Sequence, residues 1–180
     1  TMANYLGSWL KYMARLRLAP YVPAPTIVCN TMLELAALKP GEIVCDLGSG
    51  DGRLLRHAVH SFGAARATGY ELDEELVAAA RDLNGDDERL IVRHVDALQA
   101  GDDIHTADVV TLYLTEHGNA QLLPLLRECI RPSARVVSYC WSFENLPPTR
   151  TATARGEGVV LTIGKPNVLL WEQPDLRPQR

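Results

Sequence analysis

The chain has 180 residues, of which 47% are hydrophobic and 22% charged, so it can form one globular domain with a full apolar core. Its formal net charge of −4 argues against a nucleic-acid partner, which would require a basic face. The sequence has no apolar run of about 18 residues or more, so it predicts no transmembrane helix. The four cysteines lack zinc-ligand spacing, and we expect reduced thiols, no metal site and a cytoplasmic protein.

Residues 4–16 form the first predicted element, an amphipathic helix with apolar residues at helical spacing. Residues 1–33 carry Lys11, Arg15 and Arg17 and no acidic residue. Solvated charge is the favoured interpretation, and weak association with an anionic surface is the alternative. Prolines at 20, 23 and 25 then impose an extended stretch. We therefore divide the chain into an N-terminal helix with an extended segment, 1–24, and a main domain, 25–180.

The main domain alternates between apolar runs and helical patterns. A helix is predicted over 25–38, and Pro25 can begin it. The strands that follow are predicted at Ile43–Leu47, Ala67–Glu71, Leu90–Val95, Asp108–Leu114 and Arg135–Cys140. Helices are predicted between them over 51–62, 73–83 and 119–130. Such alternation indicates a parallel sheet with both faces covered by helices.

The last part of the chain is rich in valine, leucine and threonine. Val159–Ile163 and Val168–Glu172 flank the turn residues Gly164-Lys165-Pro166-Asn167, a pattern typical of an antiparallel hairpin. The predicted fold class is therefore α/β: a three-layer, Rossmann-like, seven-stranded and mostly parallel sheet with a C-terminal antiparallel hairpin and N-terminal helices.

The turn after the first strand carries three glycines, Gly48, Gly50 and Gly52, in the run D-L-G-S-G-D-G-R. A dinucleotide fingerprint requires G-x-G-x-x-G, and here the third glycine comes one residue early. Asp46 at the strand end and Asp51 in the turn would repel a diphosphate. The loop therefore favours a positively charged nucleoside, and S-adenosylmethionine meets this requirement. The turn residues, Ser49 among them, would approach it closely, and a nicotinamide cofactor is disfavoured.

Each of the first three strands ends at or beside an acid: Asp46, Glu71 and Asp96. In an open parallel sheet, ligands bind beyond the carboxyl ends of the strands. We expect Glu71 to hold the ribose hydroxyls and Leu72 to cover adenine. Asp96 would accept from the adenine amino group, with the Ala97 backbone N–H bonded to a ring nitrogen. Asp46 would hold the turn and attract the ammonium group.

The glycine turn resembles motif I of the class I, seven-strand S-adenosylmethionine-dependent methyltransferases. The resemblance extends to Y-V-P-A-P before a helix, K-P-G-E-x-V-x-D-L-G-S-G-D-G-R, G-Y-E-L-x-x-x-L-V and D-V-V-T-L-Y-L. These motifs are similar to those of the small protein-lysine methyltransferases related to the adenine nucleotide translocase and ATP synthase c-subunit enzymes. The resemblance implies N-methylation of protein lysines, with S-adenosylhomocysteine as product. The run W-S-F-E-N-L-P-P departs from the group, because Leu146 stands where the group tends to carry tryptophan.

The acceptor channel is predicted from the residues that follow strands four and five. We expect Tyr113 and Glu116 to line it, Trp141 to form its wall and Tyr21 to close over the cofactor. Two alternatives stay open at this point: a class I methyltransferase for a small molecule, and a non-catalytic S-adenosylmethionine-binding module.

Overall fold

A computed structural model describes residues 18–19, 21–154, 167–172 and 176 of the chain. The predicted helix over 4–16 and the predicted strand over 159–163 lie outside these residues. The helices are α1 (Thr26–Leu35), α2 (Arg53–His60), α3 (Glu74–Asn84), α4 (Gly101–Thr106) and α5 (Glu116–Cys129). The strands are β1 (Ile43–Leu47), β2 (Arg66–Glu71), β3 (Leu90–His94), β4 (Val109–Leu112), β5 (Arg135–Tyr139), β6 (Arg150–Thr153) and β7 (Asn167–Glu172).

The seven strands form one sheet in the order β3-β2-β1-β4-β5-β7-β6. The first five are parallel, whereas β7 is antiparallel to both β5 and β6. This arrangement confirms the predicted α/β class and the seven-stranded, mostly parallel sheet with an antiparallel C-terminal pair. The order reverses between β1 and β4, and such a switch point is where ligands bind in open parallel sheets.

Besides β5, a second strand pairs with β7. In the described residues this strand is Arg150–Thr153, which was not predicted; it runs antiparallel to β7 so that Arg150 lies opposite Leu170. Most side chains of β6 are exposed, as expected for the edge of a sheet. The strand therefore lacks the apolar alternation by which a hairpin is recognised in sequence.

Four helices begin one to three residues away from their predicted first residues, and the conformation and capping of the helix termini explain these differences. Helix α2 begins at Arg53 because Gly52 adopts a left-handed conformation (φ 72°) and cannot be helical. Helix α5 begins at Glu116 because the Thr115 side chain accepts from the Gly118 N–H and caps it. Asp73 caps α3 in the same way, through the N–H groups of Glu75 and Leu76. Helix α4, with six residues, was not predicted.

Two apolar clusters cover the two faces of the sheet. Helices α1, α2 and α3 pack on one face, and α4 and α5 on the other. These helices and the sheet form the three predicted layers. Within the described part of the chain, every helix is too short or too polar to span a bilayer.

Candidate active site

A cavity of about 1090 Å³ lies beyond the carboxyl ends of β1 to β4. Its walls come from residues 48–51 of the glycine loop (residues 48–52), from the ends of β2, β3 and β4, and from the N-terminal residues 18–19 and 21–24. We call residues 18–19 and 21–24 the N-terminal strap. Nine of the ten residues predicted to bind the cofactor line this cavity; the exception is Gly52, which ends the loop and precedes α2.

The glycine loop needs glycine for its backbone conformation and for the space around it. Gly48 and Gly50 have φ values of 93° and 54°, which side-chain-bearing residues rarely adopt. A Cβ at Gly48 would lie 2.9 Å from Leu114 Cδ2, and one at Gly50 would lie 2.6 Å from Tyr21 Cε2. The N–H groups of Gly48 and Ser49 both donate to the Tyr70 carbonyl at 2.9 Å. The loop is thus held against the end of β2.

Asp46 is the buried acid at the base of the cavity. The residue is 6% exposed, and Thr111 Oγ1 on the neighbouring strand β4 donates to Asp46 Oδ1 at 2.7 Å. Burial raises the pKa of Asp46 to about 7; the Thr111 hydrogen bond opposes this rise and the charge of Glu71 adds to it. A cation bound beside Asp46 would favour its ionised form.

Glu71 connects the glycine loop to the turn between β2 and α3. Its Oε2 accepts from the Gly50 N–H at 2.8 Å, and its Oε1 accepts from the N–H groups of Leu72 at 2.8 Å and Asp73 at 3.0 Å. A carboxylate has about four acceptor positions, so one remains for a ligand hydroxyl. Glu71 can therefore hold the loop and contact a ligand at once, a double role that the sequence did not predict.

The end of β3 forms the far wall of the cavity. Asp96 Oδ1 accepts from the Leu98 N–H at 3.0 Å and caps the short 3-10 turn Ala97–Gln99. Asp96 and Ala97 are both buried and line the cavity, whereas Leu72 is exposed at its edge. The roles of these three residues toward adenine stay predictions.

The N-terminal strap is attached to the protein at both ends. At one end, Arg53 donates to the Ala24 carbonyl at 3.1 Å and forms an ion pair with Asp51 at 2.6 Å. Tyr21 lies over Gly50, and its hydroxyl interacts with Asp51. The strap therefore covers the glycine loop, and the role of Tyr21 toward the cofactor stays a prediction.

At the other end, the strap contacts the start of α5. Thr115 Oγ1 donates to the Leu18 carbonyl at 2.7 Å. Gly118 faces the same carbonyl, and a Cβ at this position would overlap the Leu18 oxygen. Neither Thr115 nor Gly118 was predicted, because the partner is a backbone carbonyl that leaves no trace in the sequence.

Of the three residues predicted for the acceptor channel, the structure brings Tyr113 into the cavity. Tyr113 is half-buried, and its ring packs edge-to-face on Tyr139 with a centroid distance of 4.8 Å. Glu116 lies in the first turn of α5, and Trp141 lies two residues beyond β5; neither lines the cavity. The Trp141 carbonyl accepts from Asn119 Nδ2 at 2.9 Å, which fixes this segment against α5.

The charged and polar groups that line the cavity fit a positively charged nucleoside. The carboxylates of Asp46, Glu71 and Asp96 approach it from three strand ends, and Arg53, the arginine in its lining, is paired with Asp51. A diphosphate would meet repulsion here, whereas an ammonium or a sulfonium would be attracted. Ribose hydroxyls and an adenine amino group would find carboxylate acceptors.

Comparison with known proteins agrees with this chemistry. The model of the ANTKMT methyltransferase domain family matches residues 46–150, more than half of the chain. The chain belongs to this family. It is 37% identical over 123 residues to a protein-lysine N-methyltransferase of Saccharolobus islandicus, a match that covers 67% of this chain and 75% of that protein. It is also 48% identical over 62 residues to the mouse adenine nucleotide translocase lysine N-methyltransferase, covering 34% of this chain and 26% of that protein.

A solved structure is similar to most of this chain. An RNA methyltransferase from Salinibacter ruber, in complex with S-adenosyl-L-homocysteine, is 36% identical to the chain with a TM-score of 0.75. The match covers 88% of this chain and 98% of that one. The predictions of a class I methyltransferase and of S-adenosylmethionine as its cofactor are thereby confirmed. The individual site residues stay predictions.

Proposed function

We propose that the protein transfers a methyl group from S-adenosylmethionine to the side-chain nitrogen of lysine in a protein. The observation that carries this proposal is the 37% identity to a protein-lysine N-methyltransferase, which extends over three quarters of that protein. The shorter match to the translocase lysine N-methyltransferase supports the same acceptor. The cavity beside Tyr113 offers a place where such a side chain could enter.

The residues at the strand ends would orient the cofactor. Glu71 would take a ribose hydroxyl, Asp96 and Ala97 would bond adenine, and Asp46 would face the cationic methionine end. When bound, S-adenosylmethionine supplies a methyl group already activated by the positive sulfur. The lysine nitrogen forms the new N–C bond as the C–S bond breaks, and the bonding electrons stay on sulfur. The main work of the protein is thus to align the nitrogen and exclude water.

The acceptor nitrogen must be neutral to react. With a reference lysine pKa of about 10.4, deprotonation at pH 7.4 costs about 4 kcal/mol. Burial raises the pKa of Tyr113, so its hydroxyl stays protonated at neutral pH. We propose that the neutral Tyr113 oxygen accepts a hydrogen bond from the amine and aligns it, while the proton leaves to solvent. Glu116 and Trp141 would lie farther out along the channel.

A second candidate is methylation of RNA, because the Salinibacter ruber protein matched over 88% of this chain is an RNA methyltransferase. The net charge of −4 disfavours this acceptor, since nucleic-acid binding requires a basic face. We accordingly propose that the protein does not bind nucleic acid and works in the cytoplasm with its cysteines reduced; the four cysteines are free.

In the test, the purified protein is incubated with tritiated S-adenosylmethionine and a lysate from cells that lack this protein. Aliquots are treated with protease or ribonuclease after labelling, and labelled protein is hydrolysed and separated for methyl-lysines. We expect protease-sensitive label that migrates as methyl-lysine, absent with Asp46→Asn and retained with the exposed control Asp86→Asn. Ribonuclease-sensitive label, or label in small molecules alone, would refute the lysine assignment.

A further inference from the structure

Thr111 lies in the middle of the sheet, beside the acid at the base of the cavity. In the parallel register of β1 and β4, Thr111 is the direct neighbour of Asp46. Its side chain is fully buried and does not line the cavity, whereas Asp46 does. The hydroxyl of Thr111 donates to Asp46 Oδ1 at 2.7 Å. Thr111 can therefore influence a ligand only through Asp46.

We propose that Thr111 is a positioning residue for cofactor binding: its hydroxyl fixes the Asp46 carboxylate in the ionised form that binds the cationic end of S-adenosylmethionine. The proposal rests on the assignment of the cavity to this cofactor and does not depend on the methyl acceptor. A hydrogen bond donated to a carboxylate stabilises the charged form relative to the protonated form. A valine of the same shape would remove that bond and leave the packing in place.

The surroundings of Asp46 make this hydrogen bond important. The titratable groups that interact with Asp46 include Glu71 at the end of β2, Cys29 on α1 and Cys45 on β1. Glu71 repels the ionised form, and burial keeps both thiols protonated because it raises their pKa values. The Thr111 hydroxyl thus opposes both burial and a neighbouring negative charge. Since the pKa of Asp46 is about 7, binding of a cation at neutral pH should release a proton.

The experiment measures S-adenosylmethionine affinity by calorimetry between pH 5.5 and 8.5, in buffers of different ionisation enthalpy and without an acceptor. For the wild-type protein we expect affinity to fall about tenfold per pH unit below about pH 7, with a proton released on binding. In Thr111→Val the midpoint of the pH profile should rise by about one to two pH units, since the free energy of a hydrogen bond to a charged group corresponds to a pKa shift of that size. Affinity should then recover at high pH. Thr111→Ser should restore the wild-type profile.

The matched control is Thr68→Val. Thr68 is also a buried threonine of the sheet, but its hydroxyl has no hydrogen-bond partner among the described residues. This variant should keep the wild-type pH profile. Equal loss of affinity at every pH in Thr111→Val, or the same shift in Thr68→Val, would show a packing effect and overturn the proposal. A wrong lysine assignment would leave all these results unchanged, whereas a wild-type protein that binds no S-adenosylmethionine would overturn the cofactor site itself.

Discussion

Replacement of Glu71 by alanine should lower both the thermal stability of the protein and its affinity for S-adenosylmethionine, and the two effects can be measured separately. The carboxylate accepts from three backbone N–H groups, on Gly50, Leu72 and Asp73. The Leu72 bond is exposed, so water can replace it, whereas the other two are partly buried. The variant should therefore lose contacts that hold the glycine loop as well as the proposed contact to the ribose.

The magnitude follows from these bonds. A hydrogen bond to a charged group contributes about 1.5–3 kcal/mol, and partial exposure reduces the two remaining bonds to about 1 kcal/mol each. A loss of about 2 kcal/mol lowers the melting temperature of a domain of this size by about 4–8 °C. For the cofactor, the lost ribose bond and the released loop together should raise the Kd at least about 100-fold.

The assay is thermal unfolding without ligand, followed by calorimetric titration with S-adenosylmethionine. Glu71→Gln should fall between wild type and Glu71→Ala, because the amide keeps one acceptor oxygen. The exposed Glu88→Ala serves as the control and should change neither quantity. If Glu71→Ala loses affinity but melts at the wild-type temperature, the bond to Gly50 does not exist in the free protein. If affinity is unchanged, Glu71 is not in the cofactor site.

Three further predictions concern the base, the strap and the acceptor side of the cavity. Burial raises the pKa of Asp46 from 3.8 to about 7, so its ionisation opposes folding: the penalty is absent below about pH 4, grows up to about pH 7 and is complete above it. Without ligand at pH 8, Asp46→Asn should therefore be more stable, by up to about 4 kcal/mol, yet bind S-adenosylmethionine poorly; parallel pH profiles of melting temperature for variant and wild type would contradict this. Gly118→Ala should displace the strap at Leu18 and speed cofactor dissociation in stopped-flow measurements. The control Gly101→Ala should leave the dissociation rate unchanged, because its Cβ would meet only a cysteine side chain at 3.2 Å and a leucine side chain. Tyr113→Phe should lower kcat in the methylation assay and leave the Kd for S-adenosylmethionine unchanged; a weakened Kd would place Tyr113 at the cofactor instead.

Much of the sheet could be predicted because its central strands have a simple signature. The runs that form β1, β4 and β5 are mostly apolar because both faces of the sheet are covered there. Strands β2 and β3 include polar residues but are bounded by glycines and charged residues. The acid at or beside the end of each of the first three strands could also be recognised, because the strand ends were visible in the sequence. Parallel strands present their carboxyl ends at one edge of the sheet. The cavity that contains Asp46, Glu71 and Asp96 follows from this geometry.

Other features depend on contacts without a local pattern. The edge strand β6 has the sequence R-T-A-T and is mostly exposed, so no hydrophobic period marks it. Helix α4 spans less than two turns, too short for a helical period to emerge. The Thr115 bond to Leu18 joins a side chain to a backbone carbonyl far away in the chain. That Thr111 would lie beside Asp46 required the order of strands, which the sequence left undetermined.

The strand order explains why the glycine loop is held from several directions. Because β1 lies between β2 and β4, residues of both neighbours reach the loop and the acid before it: Glu71 accepts from the loop backbone, and Thr111 donates to Asp46. The strap supplies a third attachment through Arg53 and Ala24. These attachments come from separate segments of the chain, and all of them are made by the protein's own groups. Preorganisation of this kind lowers the entropy lost on binding, so a small set of carboxylates is enough to capture a cationic nucleoside.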